Sequence, residues 1–261
     1  MSNSLLHNVR TGSGKPLVLV HGLGSSYRNW DPIVPALSAE REVIAVDLPG
    51  FGRTPPRANV TIATLTDSLR EFLDAEGLSD ADVVGSSMGA RMVLELARRG
   101  HRGTVVSLDP GGFWNDVQAK VFGASITASV ALVSRIQPLL PFVTGNPVTR
   151  TLALAQFSAA PWKLPQELVL TELRGFDHDA SPSLSDALKA LIHGPRQEGS
   201  SSTSKVVIGW GRQDKVTLPS EAKVAMAKFP GAELRWFDKC GHFPHWDQPE
   251  QTVDVILEAT G

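Results

Sequence analysis

The chain has 261 residues, 42% of them hydrophobic and 20% charged, an ordinary globular composition with room for one large α/β domain and a sizeable core. Its formal charge of −2 provides no basic surplus for nucleic acid or an anionic membrane surface. The single cysteine, Cys240, excludes an internal disulfide and suits a reducing compartment.

The N-terminal residues lack a charged start followed by an apolar stretch, so they do not read as a secretory signal. The first buried-strand pattern is Lys15-Pro-Leu-Val-Leu-Val, ending at His21-Gly22, and the second is Glu42-Val-Ile-Ala-Val, ending at Asp47. An amphipathic helix is predicted over residues 61–76, with Ile62, Leu65, Leu69, Phe72 and Leu73 on one side and Gly77 as its stop. Ala81-Asp-Val-Val then runs into Gly85, a helix is predicted over 88–99, and Gly103-Thr-Val-Val-Ser-Leu ends at Asp109. Each apolar run is continuous rather than alternating, as a strand buried on both faces of a parallel sheet requires.

The rhythm breaks after Gly112. Residues 113–195 contain no convincing buried strand, only helix-like apolar stretches punctuated by prolines. Their longest weakly polar run, residues 121–133, is shorter than the roughly twenty residues that span a bilayer, so no membrane span is expected. The Ser-rich stretch from Gly199 reads as a flexible return to Lys205-Val-Val-Ile, which ends at Gly209. Leu234-Arg-Trp-Phe reads as a more exposed strand, and a helix opening at Pro249 closes the pattern. The expected architecture is a mostly parallel central sheet flanked by helices, with a core domain of residues 1–112 and 196–261 and a helical cap insertion over 113–195.

Gly85-Ser-Ser-Met-Gly89 fits G-x-S-x-G. Alone the motif is weak, but here it follows a buried strand and precedes a helix, where a tight turn projects the Ser87 hydroxyl above the sheet. Serine needs a base to act as a nucleophile. His242, just after a glycine in Cys240-Gly-His-Phe-Pro-His-Trp-Asp-Gln-Pro-Glu250, is preferred to His245, which reads as a packing residue. The acid that orients the base is assigned to Asp214, in Gly209-Trp-Gly-Arg-Gln-Asp, with Asp109 as the alternative. The oxyanion donors are the backbone N–H groups of Leu23 and Met88, and His21 reads as structural. A histidine base must be neutral to accept a proton, so activity is expected to fall below roughly pH 6 to 7.

His21-Gly-Leu-Gly, Asp47-Leu-Pro-Gly-Phe-Gly-Arg, Gly85-Ser-Ser-Met-Gly, Gly209-Trp-Gly-Arg-Gln-Asp and Gly241-His-Phe-Pro-His-Trp-Asp-Gln-Pro-Glu together resemble the recurring segments of the α/β-hydrolase superfamily, in its order. The resemblance covers all but the cap and implies a serine hydrolase with Ser87, Asp214 and His242 as its triad. Serine at position 87 separates the chain from the dehalogenase and epoxide hydrolase branches, which place aspartate there. A carboxylic-ester hydrolase of small or medium apolar acyl substrates is the leading expectation. Carbon–carbon bond hydrolases, lactonases and cofactor-free haloperoxidase-like enzymes stay open, as does a ligand receptor on the same scaffold. Phe113, Trp114, Phe142, Phe157 and Trp162 are candidates for an apolar substrate wall. Arg91 is expected to pair with a buried carboxylate, and Cys240 to be a small buried residue. No metal-ligand spacing or phosphate loop is present, so neither metal nor cofactor is expected. The expected partner is a small-molecule ester-like substrate rather than nucleic acid, and the expected location is the cytoplasm.

Overall fold

A computed structural model describes residues 5–201 and 204–261. In chain order its strands and helices are β1 (Asn8–Thr11), β2 (Pro16–Val20), α1 (Val34–Leu37), β3 (Glu42–Val46), α2 (Ile62–Ala75), β4 (Asp82–Ser86), α3 (Met88–Arg98), β5 (Val105–Leu108), α4 (Asp116–Arg135), α5 (Leu140–Gly145), α6 (Pro147–Leu154), α7 (Gln166–Arg174), α8 (Leu184–His193), β6 (Val206–Gly211), α9 (Ala222–Lys228), β7 (Glu233–Phe237), α10 (Pro244–Asp247) and α11 (Pro249–Thr260). The strands form one sheet in the order β1-β3-β2-β4-β5-β6-β7, parallel except for β1, which runs antiparallel to β3.

The apolar runs behave as double-sided burial demands. Leu17 and Leu19 of β2 feed the core on one face of the sheet with Trp30, Leu37 and Ile256, while Val18 and Val20 feed the other with Phe72, Met92 and Val93. Sequence reading missed β1. It is only four residues long, half-buried or exposed throughout, and carries no apolar run to betray it.

The predicted helix boundaries follow from caps. Thr61 and Thr64 form a reciprocal capping box at the start of α2. At its end, Gly77 adopts φ +70° and the Leu78 N–H returns 2.7 Å to the Leu73 carbonyl, a Schellman-type stop.

Between β5 and β6 every described element is helical. The segment leaves and rejoins the sheet at one point, since the Gln197 N–H donates to the Gly112 carbonyl at 2.9 Å. The Ser-rich return lies partly outside the described residues, at Ser202 and Thr203. Helix α4 is 20 residues long and is the one helix among the described residues long and apolar enough to cross a membrane. Its buried residues, Ala119, Phe122, Gly123, Ile126 and Val130, fall at helical spacing on one face. Gly123 on that face packs directly beneath Ile192 of α8.

The helical segment also sits on the loops that follow the strands. Gly175, just beyond α7, approaches Gly24 so closely that a Cβ would enter the Gly24 carbonyl, and the Phe176 ring covers Gly24. Ser158 Oγ and the Ala159 N–H donate to Asp247, which also accepts the Gly241 N–H at 2.7 Å.

Candidate active site

Strand β4 delivers Ser87 to a tight turn into α3. Its φ of 55° and ψ of −112° lie outside the regions an L-residue prefers, at a cost of order 1–3 kcal/mol. Glycine at 85 and 89 makes the turn possible. A Cβ on Gly85 would enter the Gly89 carbonyl, and one on Gly89 would enter the Val20 carbonyl. The Ser87 N–H donates to the Leu108 carbonyl at 3.0 Å, holding the turn against β5.

His242 reaches this hydroxyl from the loop after β7. Its Nε2 lies 2.9 Å from Ser87 Oγ and its Nδ1 lies 2.8 Å from Asp214 Oδ2. A carboxylate only accepts, so the proton sits on Nδ1 and Nε2 is left to accept from the serine. The loop is pinned by the His242 N–H, which donates to the Phe157 carbonyl at 2.8 Å.

Asp214 is buried and held from all sides. Oδ1 accepts the N–H groups of Val216 (2.7 Å) and Thr217 (3.1 Å), and Oδ2 accepts the Thr217 hydroxyl at 2.7 Å besides His242. Burial alone pushes this carboxyl up, but attraction to His242 and the hydrogen bonds from His242 and Thr217 outweigh it. The net direction is below the ordinary carboxylate range, so Asp214 is ionised.

The loop after β2 closes the other side. A Cβ on Gly22 would lie 3.1 Å from Ser87 Cβ and 3.7 Å from Ser87 Oγ, so the backbone that leads into Leu23 passes close to the serine. His21 supports this loop from below: Nδ1 donates to the Gly22 carbonyl (2.7 Å) and Nε2 accepts the Leu48 N–H (3.0 Å). Burial lowers its pKa and keeps it neutral in that role. Met88 opens α3, where the first N–H groups have no intrahelical acceptor and the helix dipole is positive. Leu23 and Met88 are the chain neighbours of Gly22 and Ser87, the residues in contact across this gap.

The other histidine candidate lies elsewhere. His245 is fully buried, stacks on Trp30 at 4.5 Å and bonds Asn29 Oδ1 through Nε2 at 2.7 Å. Burial, with repulsion from His242, pushes its pKa down to about 3. Asp109, the alternative acid, ends β5 beside Asp214, and its Oδ1 accepts the Gly211 N–H at 2.8 Å.

Of the five aromatic candidates, Phe157 approaches the triad through Phe243. Its ring stacks on Phe243, whose ring centre is 4.9 Å from that of His242. Phe113 packs edge-on against Phe229 and Trp114 stacks on Phe122, so both serve the hydrophobic core. Phe142 and Trp162 are 76% and 50% exposed. In α5 the buried positions are Leu140 and Thr144, four apart, which turns Phe142 to the opposite face. Arg91 also departs from expectation. Its Nη2 donates to the Pro195 carbonyl instead of a carboxylate, and burial lowers its pKa to about 10. Cys240 is buried, with its thiol pushed up by burial.

Three features escaped sequence reading. Thr217 holds Asp214 through hydroxyl and N–H, and the signal was present as an Asp followed three residues later by Thr, a local side-chain-to-backbone turn. Phe176, Val133, Ile136 and Leu173 join the candidate Phe157 around an apolar cavity of about 60 Å³ whose aromatic members also border Gly24 and the His242 loop. No local pattern marks such residues, because they meet only in the tertiary structure.

The third is Glu172, on α7, buried under the loop that carries Leu23. Burial, opposed by the Ser25 hydroxyl and the Asn29 amide, pushes its carboxyl up to about 8. A carboxyl raised in the folded state contributes stability that is complete below its ordinary value near 4.5 and is lost as pH rises through about 8. Glu172→Gln is therefore expected to match the wild type at pH 5 and exceed it by about 1–3 kcal/mol at pH 9. Denaturant unfolding at the two pH values checks this, and an equal pH dependence in both proteins contradicts it.

A strained serine at a strand–turn–helix elbow, in line with a buried histidine and carboxylate beyond the ends of a parallel sheet, defines the α/β-hydrolase class. The profile of the alpha/beta hydrolase family matches residues 17–255, and the chain belongs to that family. Among curated relatives, the 2-hydroxy-6-oxo-2,4-heptadienoate hydrolase of Pseudomonas putida is 28% identical over 96% of this chain and 89% of its own. Among solved structures, a thermophilic esterase from Thermogutta terrifontis has a TM-score of 0.76 at 21% identity, covering 97% of this chain and 92% of that one. A meta-cleavage product hydrolase from Pseudomonas fluorescens has a TM-score of 0.72 at 21% identity, covering 97% and 93%. At these identities the structures speak for the fold.

Proposed function

We propose that this hydrolase cleaves carboxylic esters of small apolar acyl groups through an acyl-enzyme on Ser87. His242 acts as general base and then general acid, Asp214 holds its tautomer, and Leu23 and Met88 N–H groups stabilise the oxyanion. Residues 113–195 serve as the cap over the acyl group. The observation that carries this reading is the unbroken hydrogen-bonded line from Ser87 Oγ to Asp214 Oδ2, 2.9 and 2.8 Å per step.

The apolar cavity supports an ester over a dienoate. A ring-cleavage dienoate carries a carboxylate that asks for a cationic partner, whereas Ser129, Leu132, Val133, Ile136, Ala153, Phe157, Leu173 and Phe176 line the cavity. Arg91, one helical turn past Ser87, gives its Nη2 to the Pro195 carbonyl and is not among the residues that line the cavity. The similarity to the P. putida hydrolase favours carbon–carbon cleavage as the second reading.

Nitrophenyl esters of increasing acyl length, assayed beside a ring-cleavage dienoate and an acyl lactone, test the proposal. Highest kcat/KM on the shorter acyl esters is expected, with Phe142→Ala and Trp162→Ala changing it less than about two-fold. Preferential turnover of the dienoate would transfer the assignment to carbon–carbon cleavage.

A further inference from the structure

Two carboxyl groups, not one, sit behind the candidate base. Ligand-type atoms of Asp109, Asp214 and His242 all lie within 4.8 Å of one another, and all three residues are buried. Asp214 accepts four hydrogen bonds, one of them from His242 Nδ1. Two carboxyl groups this close, with one imidazole beside them, repel each other when both are ionised, and a proton held on one of them relieves that repulsion.

The Asp109 side chain is partnered on one oxygen only. Oδ1 accepts the Gly211 N–H, while Oδ2 is buried with no hydrogen-bond donor facing it. Thr217 directs its hydroxyl at Asp214 and approaches Asp109 only at the main-chain carbonyl, at 3.3 Å. The charged groups weighing on Asp109 are Asp214 and Asp247, both of its own sign, and the remaining titratable neighbours are His242 and the un-ionised Cys240 thiol. Two buried carboxylates cannot both ionise beside a single imidazole, and the one with fewer donors keeps the proton. Burial first, then repulsion by Asp214, drives the Asp109 carboxyl well above the ordinary range. The backbone is committed to the arrangement as well: Asp109 adopts φ +50°, uncommon for a non-glycine residue, which turns its carboxyl in toward Asp214.

We propose that Asp109 is a neutral carboxylic acid that donates its proton in a hydrogen bond to Asp214, making it a positioning residue for the triad carboxylate. The inference rests on the hydrolase reading for its role but not for the proton itself. A neutral donor draws charge from Asp214 without placing a second negative charge beside His242. The carboxylate is thereby fixed against rotation, and the imidazole is spared the extra basicity that two anions would impose.

Asparagine reproduces a protonated aspartate, with an amide to donate and an oxygen to accept from Gly211. Two readouts follow for Asp109→Asn. In infrared difference spectra at pH 7, wild type minus variant, a carboxylic-acid carbonyl band is expected to be lost without loss of a carboxylate band. In kcat/KM profiles, the acid limb is expected to stay within about 0.3 pH units, whereas Asp109→Ala, lacking the donor, moves it upward. Loss of a carboxylate band instead, or an acid limb displaced downward by a unit or more in Asp109→Asn, overturns the proposal, because either means that a negative charge was removed. Should that variant not fold, Glu172→Gln/Glu221→Gln removes the other two strongly raised buried carboxyls. A carboxylic-acid band persisting at pH 7 in that double variant supports the assignment, and its absence refutes it. Should wild type turn over no ester while the band behaves as stated, the proton placement stands and the hydrolase assignment is what fails.

Discussion

Ser87→Ala is expected to lower ester turnover by roughly 10⁴- to 10⁶-fold while changing unfolding free energy by less than about 1 kcal/mol. Turnover collapses because the acyl-enzyme has no other oxygen to form on. Ser86 is adjacent but fully buried, and the rest of the serine side chain's surroundings are backbone and imidazole. Stability is spared because the hydroxyl makes a single side-chain hydrogen bond, to His242 Nε2, and alanine fits the same space. Burst kinetics on an activated ester, run beside a thermal melt, check both halves. A variant retaining a tenth of wild-type turnover would mean that the chemistry runs elsewhere.

The largest stability loss is expected from a methyl group on the neighbouring glycine. Gly89 packs its α-carbon against the carbonyls of Val20 and His21, and the added Cβ of Gly89→Ala would lie inside their van der Waals radii. Those atoms belong to the backbone of β2 and the loop after it, in the middle of the sheet, so no side chain can swing aside. Relief requires moving α3 away from the strand beneath it. The expected cost exceeds about 4 kcal/mol and should appear as loss of soluble protein or of the cooperative transition. Gly77→Ala is the control. That glycine has φ +70° with nothing within 4 Å of a built Cβ, so only the backbone preference is lost, about 1 kcal/mol. Equal melting of the two variants would contradict the steric account.

What the sequence disclosed divides along the range of the interactions involved. Parallel strands buried on both faces announce themselves as valine and isoleucine runs, and α2 carries its own start and stop in Thr61 and Gly77. The serine elbow was legible because its glycines are dictated by contacts within the turn and with the next strand. Asp214 and His242 were found from loop positions after strands, a topological rule and not a local propensity. Antiparallel β1 was not legible because its half-buried residues need no apolar run. The exposure of Phe142 and Trp162 was not legible for a related reason: short proline-broken segments do not fix which face turns inward. Glu172 and Asp109 show the remaining limit. A buried acid looks like any other acid in sequence, and its protonation depends on which groups the fold brings within a few ångströms.

The central claim is that Ser87, His242 and Asp214 work as one chemical unit, and covalent labelling reads it most directly. A fluorophosphonate should modify the protein once, with peptide mass spectrometry assigning the adduct to Ser87, and His242→Ala should slow labelling by at least about 10³-fold. Labelling at another residue, or an unchanged rate in His242→Ala, would contradict it.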